Sequence, residues 1–167
     1  GGGTGPDTAG SLATDAEGNV FVSGSFSGPA RFGSTEAVSQ GETDAYVAQL
    51  SAQGQWQWLQ ALGSNTPDAS TAICFGAGGG LYVTGRFGGG AQYGTARLSS
   101  RVLAAVAAGS TATDAAQAIA AAPNGDVYVG GQVGAATQFD AHRLPAEAPQ
   151  LFIGRLEFPA RLTADTH

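Results

Sequence analysis

Trp56 and Trp58 stand two residues apart in the stretch QWQWLQALG, residues 55–63. In an extended strand that spacing projects both indoles from one face, the arrangement a sugar-stacking platform uses, and it makes the pair candidate glycan contacts. The competing reading is that both rings pack against a neighbouring sheet. Asp15, Glu17 and Asn19 put oxygen-bearing side chains at alternate positions, as a calcium loop does. Asp7-Thr8-Ala9 fits an Asp-Thr-small pattern of O-glycosylation, which makes Thr8 a candidate acceptor. Beyond these groups the inventory for catalysis is thin. The two histidines, His142 and His167, fall in no metal-ligand spacing, and Gly-x-Gly strings lie in turns rather than opening a helix. Cys74 is the single cysteine; its apolar strand predicts an inert core thiol. No catalytic, cofactor or metal residue is therefore assigned.

The elements that carry these residues come from a repeat. TDAEGNVFVSGSF (14–26) returns as FGAGGGLYVTGRF (75–87) and AAPNGDVYVGGQV (121–133). Asp7, Asp68 and Asp114 each precede an apolar residue by five positions (Leu12, Ile73, Ile119), a glycine by seventeen (Gly24, Gly85, Gly131) and an aromatic by twenty-five (Phe32, Tyr93, Phe139). The copies are offset by 61 and 46 residues, close to the ~40–50 of propeller-blade repeats. The copies also test the calcium-loop idea. Positions 15, 17 and 19 become Gly76, Gly78, Gly80 and then Ala122, Asn124, Asp126, so a plain turn is expected. The three aspartates do recur, between one copy's last strand and the next copy's first, which predicts side chains that accept hydrogen bonds from loop amides.

Each copy opens with a strand (10–16 in the first), a turn with glycine at its centre (Gly18, Gly79, Gly125) and a second strand. The first copy continues with DAYVAQLS (44–51), a Gln53-Gly54 turn and QWQWLQALG, four strands in all. The second strands, Val20-Phe21-Val22, Leu81-Tyr82-Val83 and Val127-Tyr128-Val129, are apolar on both faces, so both faces are expected to be covered by like sheets. Exposing one face would forfeit about 1.5–3 kcal/mol per large side chain.

The recurring Asp, the Leu or Ile after it, the glycine turn and the [VL]-[FY]-V-x-G strand, followed by TDAYVAQLSAQGQWQWLQALG (43–63), resemble the bacterial seven-bladed β-propeller (SBBP) repeat family. The resemblance runs from about Thr4 to Leu156 and is closest to the Trp-containing repeats of secreted and surface proteins of Bacteroidota. It implies an all-β fold of antiparallel blades and a secreted or cell-surface location, with no common enzyme activity. One β-repeat domain is expected over 1–167, with blades at about 4–63, 64–109 and 110–158.

The second copy is 15 residues short, and its end RVLAAVAAG (101–109) aligns with QWQWLQALG, which places the loss between Tyr93 and Arg101, where the third strand should be: either this blade has lost that strand or the stretch omits residues. The third copy has LFIGRL (151–156) and then Pro159, which argues against a normal fourth strand. Residues 2–7 align with 63–68, the tail of a fourth strand, and the chain has no Met; both are expected of an excerpt from a longer chain or a processed product. Three blades leave faces and edges open, since propellers use at least about four, so the expected partners are further copies or flanking blades.

Net charge is -6, the seven basic residues are all Arg, and no basic cluster appears, which argues against a nucleic-acid partner. No apolar run approaches the ~20 residues of a membrane helix, so no membrane insertion is expected. The reading that follows is a non-catalytic scaffold, adhesion or assembly module. The alternative is a lectin-like propeller that binds surface glycans or proteins. An enzyme with a site at a central channel ranks last, because the first strands offer mainly Leu, Ala, Ile and Thr.

Overall fold

The computed structural model describes residues 1–86, 94–99, 102–107, 115–133, 137–139, 142–144 and 150–156, with side chains at 1–86, 115–132 and 151–155. The first copy forms β1 (Gly2–Gly3), β2 (Thr8–Thr14), β3 (Val20–Phe26), β4 (Pro29–Phe32), β5 (Thr35–Val38), β6 (Asp44–Leu50) and β7 (Trp56–Leu62). The second forms β8 (Ala69–Phe75), β9 (Leu81–Arg86), β10 (Gly94–Ser99) and β11 (Val102–Ala107). The third forms β12 (Ala115–Ala121), β13 (Val127–Val133), β14 (Thr137–Phe139), β15 (His142–Leu144) and β16 (Gln150–Leu156). Among the described residues every element is a strand, and every pairing is antiparallel.

Three repeat sheets result, ordered β2-β3-β6-β7, β8-β9-β10-β11 and β12-β13-β16. Their turns are built alike. Asp15 N donates to Asn19 O, Gly76 N to Gly80 O and Ala122 N to Asp126 O. Gly18, Gly79 and Gly125 take φ of 81°, 72° and 95° there, which a side chain would resist. The first strand begins and ends two residues earlier than the sequence predicts, because Asp15 already belongs to the turn.

Each first strand also carries a bulge at the same repeat position. Gly10, Thr71 and Gln117 are the extra residues, inserted between Ala9 and Ser11, Ser70 and Ala72, and Ala116 and Ala118. Opposite each bulge stands the recurring glycine of the second strand. A Cβ on Gly24, Gly85 or Gly131 would overlap the carbonyl oxygen of Thr8, Ala69 or Ala115. The glycine recurs because the bulge drives backbone onto backbone there.

The predicted loss of a third strand from the second copy is corrected. β10 is that strand: Thr95 pairs with Thr84 and Leu98 with Leu81 on one side, and Ser99 pairs with Val102 on the other. The shortfall falls instead on an extra hairpin. In the first copy β4–β5 intervenes between the second and third strands, with β1 on its edge, and in the third copy β14–β15 stands at the same point in the chain. In the second copy only residues 87–93 separate β9 from β10. A gapless alignment had carried Tyr93 onto Phe32, which belongs to the hairpin. Strand identity follows the pairing instead, since an inner gap would strand two rows of backbone groups without partners. The third sheet has three strands among the described residues, and residues 157–167 lie outside them.

The sheets stack face to face in chain order. We call the side turned to the next repeat the trailing face and the opposite side the leading face. Phe21, Ala45, Val47 and Leu62 on the first sheet's trailing face form one cluster with Ile73, Leu81 and Val83 on the second sheet's leading face. The first strands run beside one another, β2 against β8 and β8 against β12. On the first sheet's leading face the β4–β5 hairpin packs its Ala30 and Phe32 on Phe26, Tyr46 and Ala48. Phe21, Tyr82 and Tyr128 hold one position in the three second strands; the first two are buried, and Tyr128 is 39% exposed.

Candidate functional site

At the turn end of the first two sheets lies a groove. Its floor is Phe21, Phe75 and Leu81, and Trp58, Gln49 and Gln60 form the wall on the first sheet. The floor is apolar because these positions lie where leading and trailing faces meet. Phe75 meets Phe21 edge to face with centroids 4.9 Å apart, and Trp58 meets Phe21 at 5.9 Å. The two hairpin turns supply the rim, with Asp15 and Glu17 on one side and Gly76 and Gly79 on the other.

The two indoles do not share a face, which corrects the expected platform of Trp56 and Trp58. Trp58 pairs with Gln49 and Trp56 with Leu50, so Gln57 is an extra residue in β7. That bulge reverses the alternation: Trp58 packs into the cluster between the sheets, and Trp56 lies against the hairpin, 4.9 Å from Phe32 at 88°. Only Trp58 borders the groove. A cross-strand register is invisible in a sequence read with strict period two.

The Asp15-Glu17-Asn19 run closes on itself. Asp15 Oδ1 accepts from the amides of Glu17 (3.1 Å) and Asn19 (2.8 Å), and Asp15 Oδ2 accepts from Asn19 Nδ2 at 2.8 Å. The Asn19 side-chain bond, partly offset by desolvation, holds the Asp15 carboxyl below its ordinary range. This is the plain turn the repeat predicts, with the Asp15 oxygens spent on local donors.

The recurring aspartates clamp loops, as expected. Asp7 Oδ2 accepts from Gly3 N at 2.5 Å, and Asp68 Oδ2 from Ser64 N at 2.6 Å, the same four-residue reach in both. Asp114 lies outside the described residues. A further clamp was not singled out from the sequence: Asp44, 1% exposed, accepts from Gln40 N at 3.0 Å. The signal for it was the polar residue opening an otherwise apolar strand.

Thr8 is exposed at the start of β2, and its hydroxyl lies 2.8 Å from Ser25 Oγ. Cys74 is half-buried, and burial pushes its thiol above the ordinary value, which keeps it protonated and poorly nucleophilic. The side chains of His142 and His167 are outside the described ones. Among the described residues no three His, Cys, Asp or Glu side chains converge as a metal cage would require, and no helix is long and apolar enough to cross a membrane. No family model matches the chain, and no curated protein does either.

Proposed function

We propose that the chain is a non-catalytic β-propeller-type module of the bacterial seven-bladed repeat kind, secreted or displayed at the cell surface, where stacked blades serve as scaffold, adhesion surface or assembly unit. One observation carries this reading: equivalent sheets stack trailing face on leading face, with the first strands side by side, as radial blades do. The polar groups that looked able to do chemistry are instead spent on turns and loops, which supports a structural role. The location rests on the family resemblance. It is tested by treating intact cells of the native host with an external protease. Loss of the chain before lysis is expected, and complete protection until lysis would overturn the reading.

A second reading, a lectin-like module, is favoured by Trp58 in the groove with Gln49, Gln60 and Glu17 around it. An indole beside amide and carboxylate groups suits a sugar ring. On a glycan array this reading requires a signal that Trp58→Ala removes; an array without signal leaves the scaffold reading alone.

A further inference from the structure

The same repeat positions are treated in opposite ways at the two ends of the stack. In the first sheet β6 pairs with β3 so that Ala45 faces Ser25 and Val47 faces Ser23. In the third sheet β16 pairs with β13 in the same register, with Leu151 facing Gln132 and Ile153 facing Gly130. Leu151 and Ile153 are thus the counterparts of Ala45 and Val47. Ala45 and Val47 are each 0% exposed, because the second sheet covers them; Leu151 and Ile153 are each 76% exposed. Tyr128, the counterpart of Phe21, joins them on the open face. At the other end, Ile73 of the second sheet is 6% exposed under the first, whereas its counterpart Leu12 is 64% exposed.

We propose that a second copy of this chain docks head to tail on this molecule, the leading face of its first sheet covering Tyr128, Leu151 and Ile153 of the third. The reading rests on the stacked-module function proposed above. The internal junction says what the occupant must present. Phe21, Ala45 and Val47 receive Ile73, Leu81 and Val83, three branched aliphatic side chains. The chain carries the same set on its own first sheet as Leu12, Val20 and Val22, at the corresponding repeat positions. The β4–β5 hairpin covers the Tyr46 and Ala48 side of that face and packs against Val22, while Val20 is partly buried and Leu12 is left bare. Exposed Leu12, flanked by the partly buried Val20 and Val22, therefore matches exposed Tyr128, Leu151 and Ile153 at the other end in repeat position.

The contact is weaker than the internal one. At the internal junction Ser70 Oγ donates to Gly24 O at 3.1 Å, and the counterpart of Ser70 in the first sheet is Ala9, which has no hydroxyl to donate. The contact is also heterologous, since it joins two different patches. Two copies supply six sheets, within the range of about four to eight at which propeller rings close.

Sedimentation velocity on the wild-type chain, Leu12→Asp, Ile153→Asp and an equimolar mixture of the two variants tests this. Wild type is expected to dimerise with concentration, and each variant alone to associate at least about tenfold more weakly, since each buries a charge in both contacts. The mixture is expected to regain a 1:1 dimer, because it retains one contact in which both patches are native. Both substitutions lie on exposed positions, and an unchanged thermal melt checks the fold. Leu151→Asp replaces Ile153→Asp if that variant melts early. A wild-type chain that stays monomeric at its highest soluble concentration overturns the proposal, as do variants that associate like wild type or a mixture that stays monomeric. The protease assay on cells reads the surface location separately, so the head-to-tail contact and the proposed location fail independently.

Discussion

The junction between the first and second sheets and the junction between the second and third use the same repeat positions with different chemistry. The first is filled from both sides, by Phe21, Ala45, Val47 and Leu62 against Ile73, Leu81 and Val83, with Phe75 and Trp58 closing the edge. At the second, the buried apolar cluster among the described residues is Ala116, Val129 and Phe152 of the third sheet, and β12 is rich in alanine. There a hydroxyl reaches from the second sheet to the third, Thr71 Oγ1 donating to Ala116 O at 2.5 Å. A repeat therefore fixes where sheets meet without fixing the chemistry of the contact, and the contacts of the described residues predict a cohesion graded along the chain.

One repeat position samples the whole gradient and gives the largest expected effects. Ile73→Ala should cost about 2–5 kcal/mol, since the side chain is buried among both sheets. Ile119→Ala, at the partly buried counterpart, should cost about 1–2 kcal/mol. Leu12→Ala, 64% exposed, should cost less than about 0.5 kcal/mol in the monomer. Urea denaturation with an unchanged m-value reads the series. Equal costs at Ile73 and Ile119 would break the comparison.

A smaller effect sharpens it. Thr71→Val keeps the volume and removes the hydroxyl that reaches Ala116 and also the Thr84 carbonyl at 3.2 Å. The expected loss is about 1 kcal/mol, and it should appear as earlier opening of β12–β13 in amide hydrogen exchange. Ser70→Ala removes the corresponding bridge to Gly24 at the first junction, where the apolar cluster remains, so exchange there should change less.

Much of this architecture could be read from particular residues. The glycine turns, β3, β6 and β7 were legible because turn chemistry and apolar runs are local signals. The bulges at Gly10, Thr71 and Gln117 were not, because a bulge is a property of two strands; its only trace was the glycine at 24, 85 and 131. β10 was missed although it has a sequence echo: Ala96-Arg97-Leu98-Ser99 repeats Ala48-Gln49-Leu50-Ser51. Following the copies without a gap hid the echo, because only seven residues separate β9 from β10. The split of Trp56 from Trp58 failed for the same reason as the bulges, since Gln57 is extra only relative to β6. What sequence alone concealed was pairing register, and the candidate site depended on it.

The smallest effect has the opposite sign. Ser23 and Thr84 hold the same repeat position, each 0% exposed on a trailing face, and neither hydroxyl has a hydrogen-bond partner among the described residues. A buried hydroxyl left unpaired forfeits its hydration for nothing. Ser23→Ala and Thr84→Val should therefore be neutral or raise stability by up to about 1 kcal/mol, whereas Thr71→Val, thirteen residues before Thr84 in the same hairpin, lowers it. Thr84→Val should gain more than Ser23→Ala, because valine keeps the volume of threonine, whereas alanine at 23 gives up contact beside the first junction's apolar cluster. A loss of more than about 1 kcal/mol in both variants, read by the same urea titration, would show that these hydroxyls bind across the junctions.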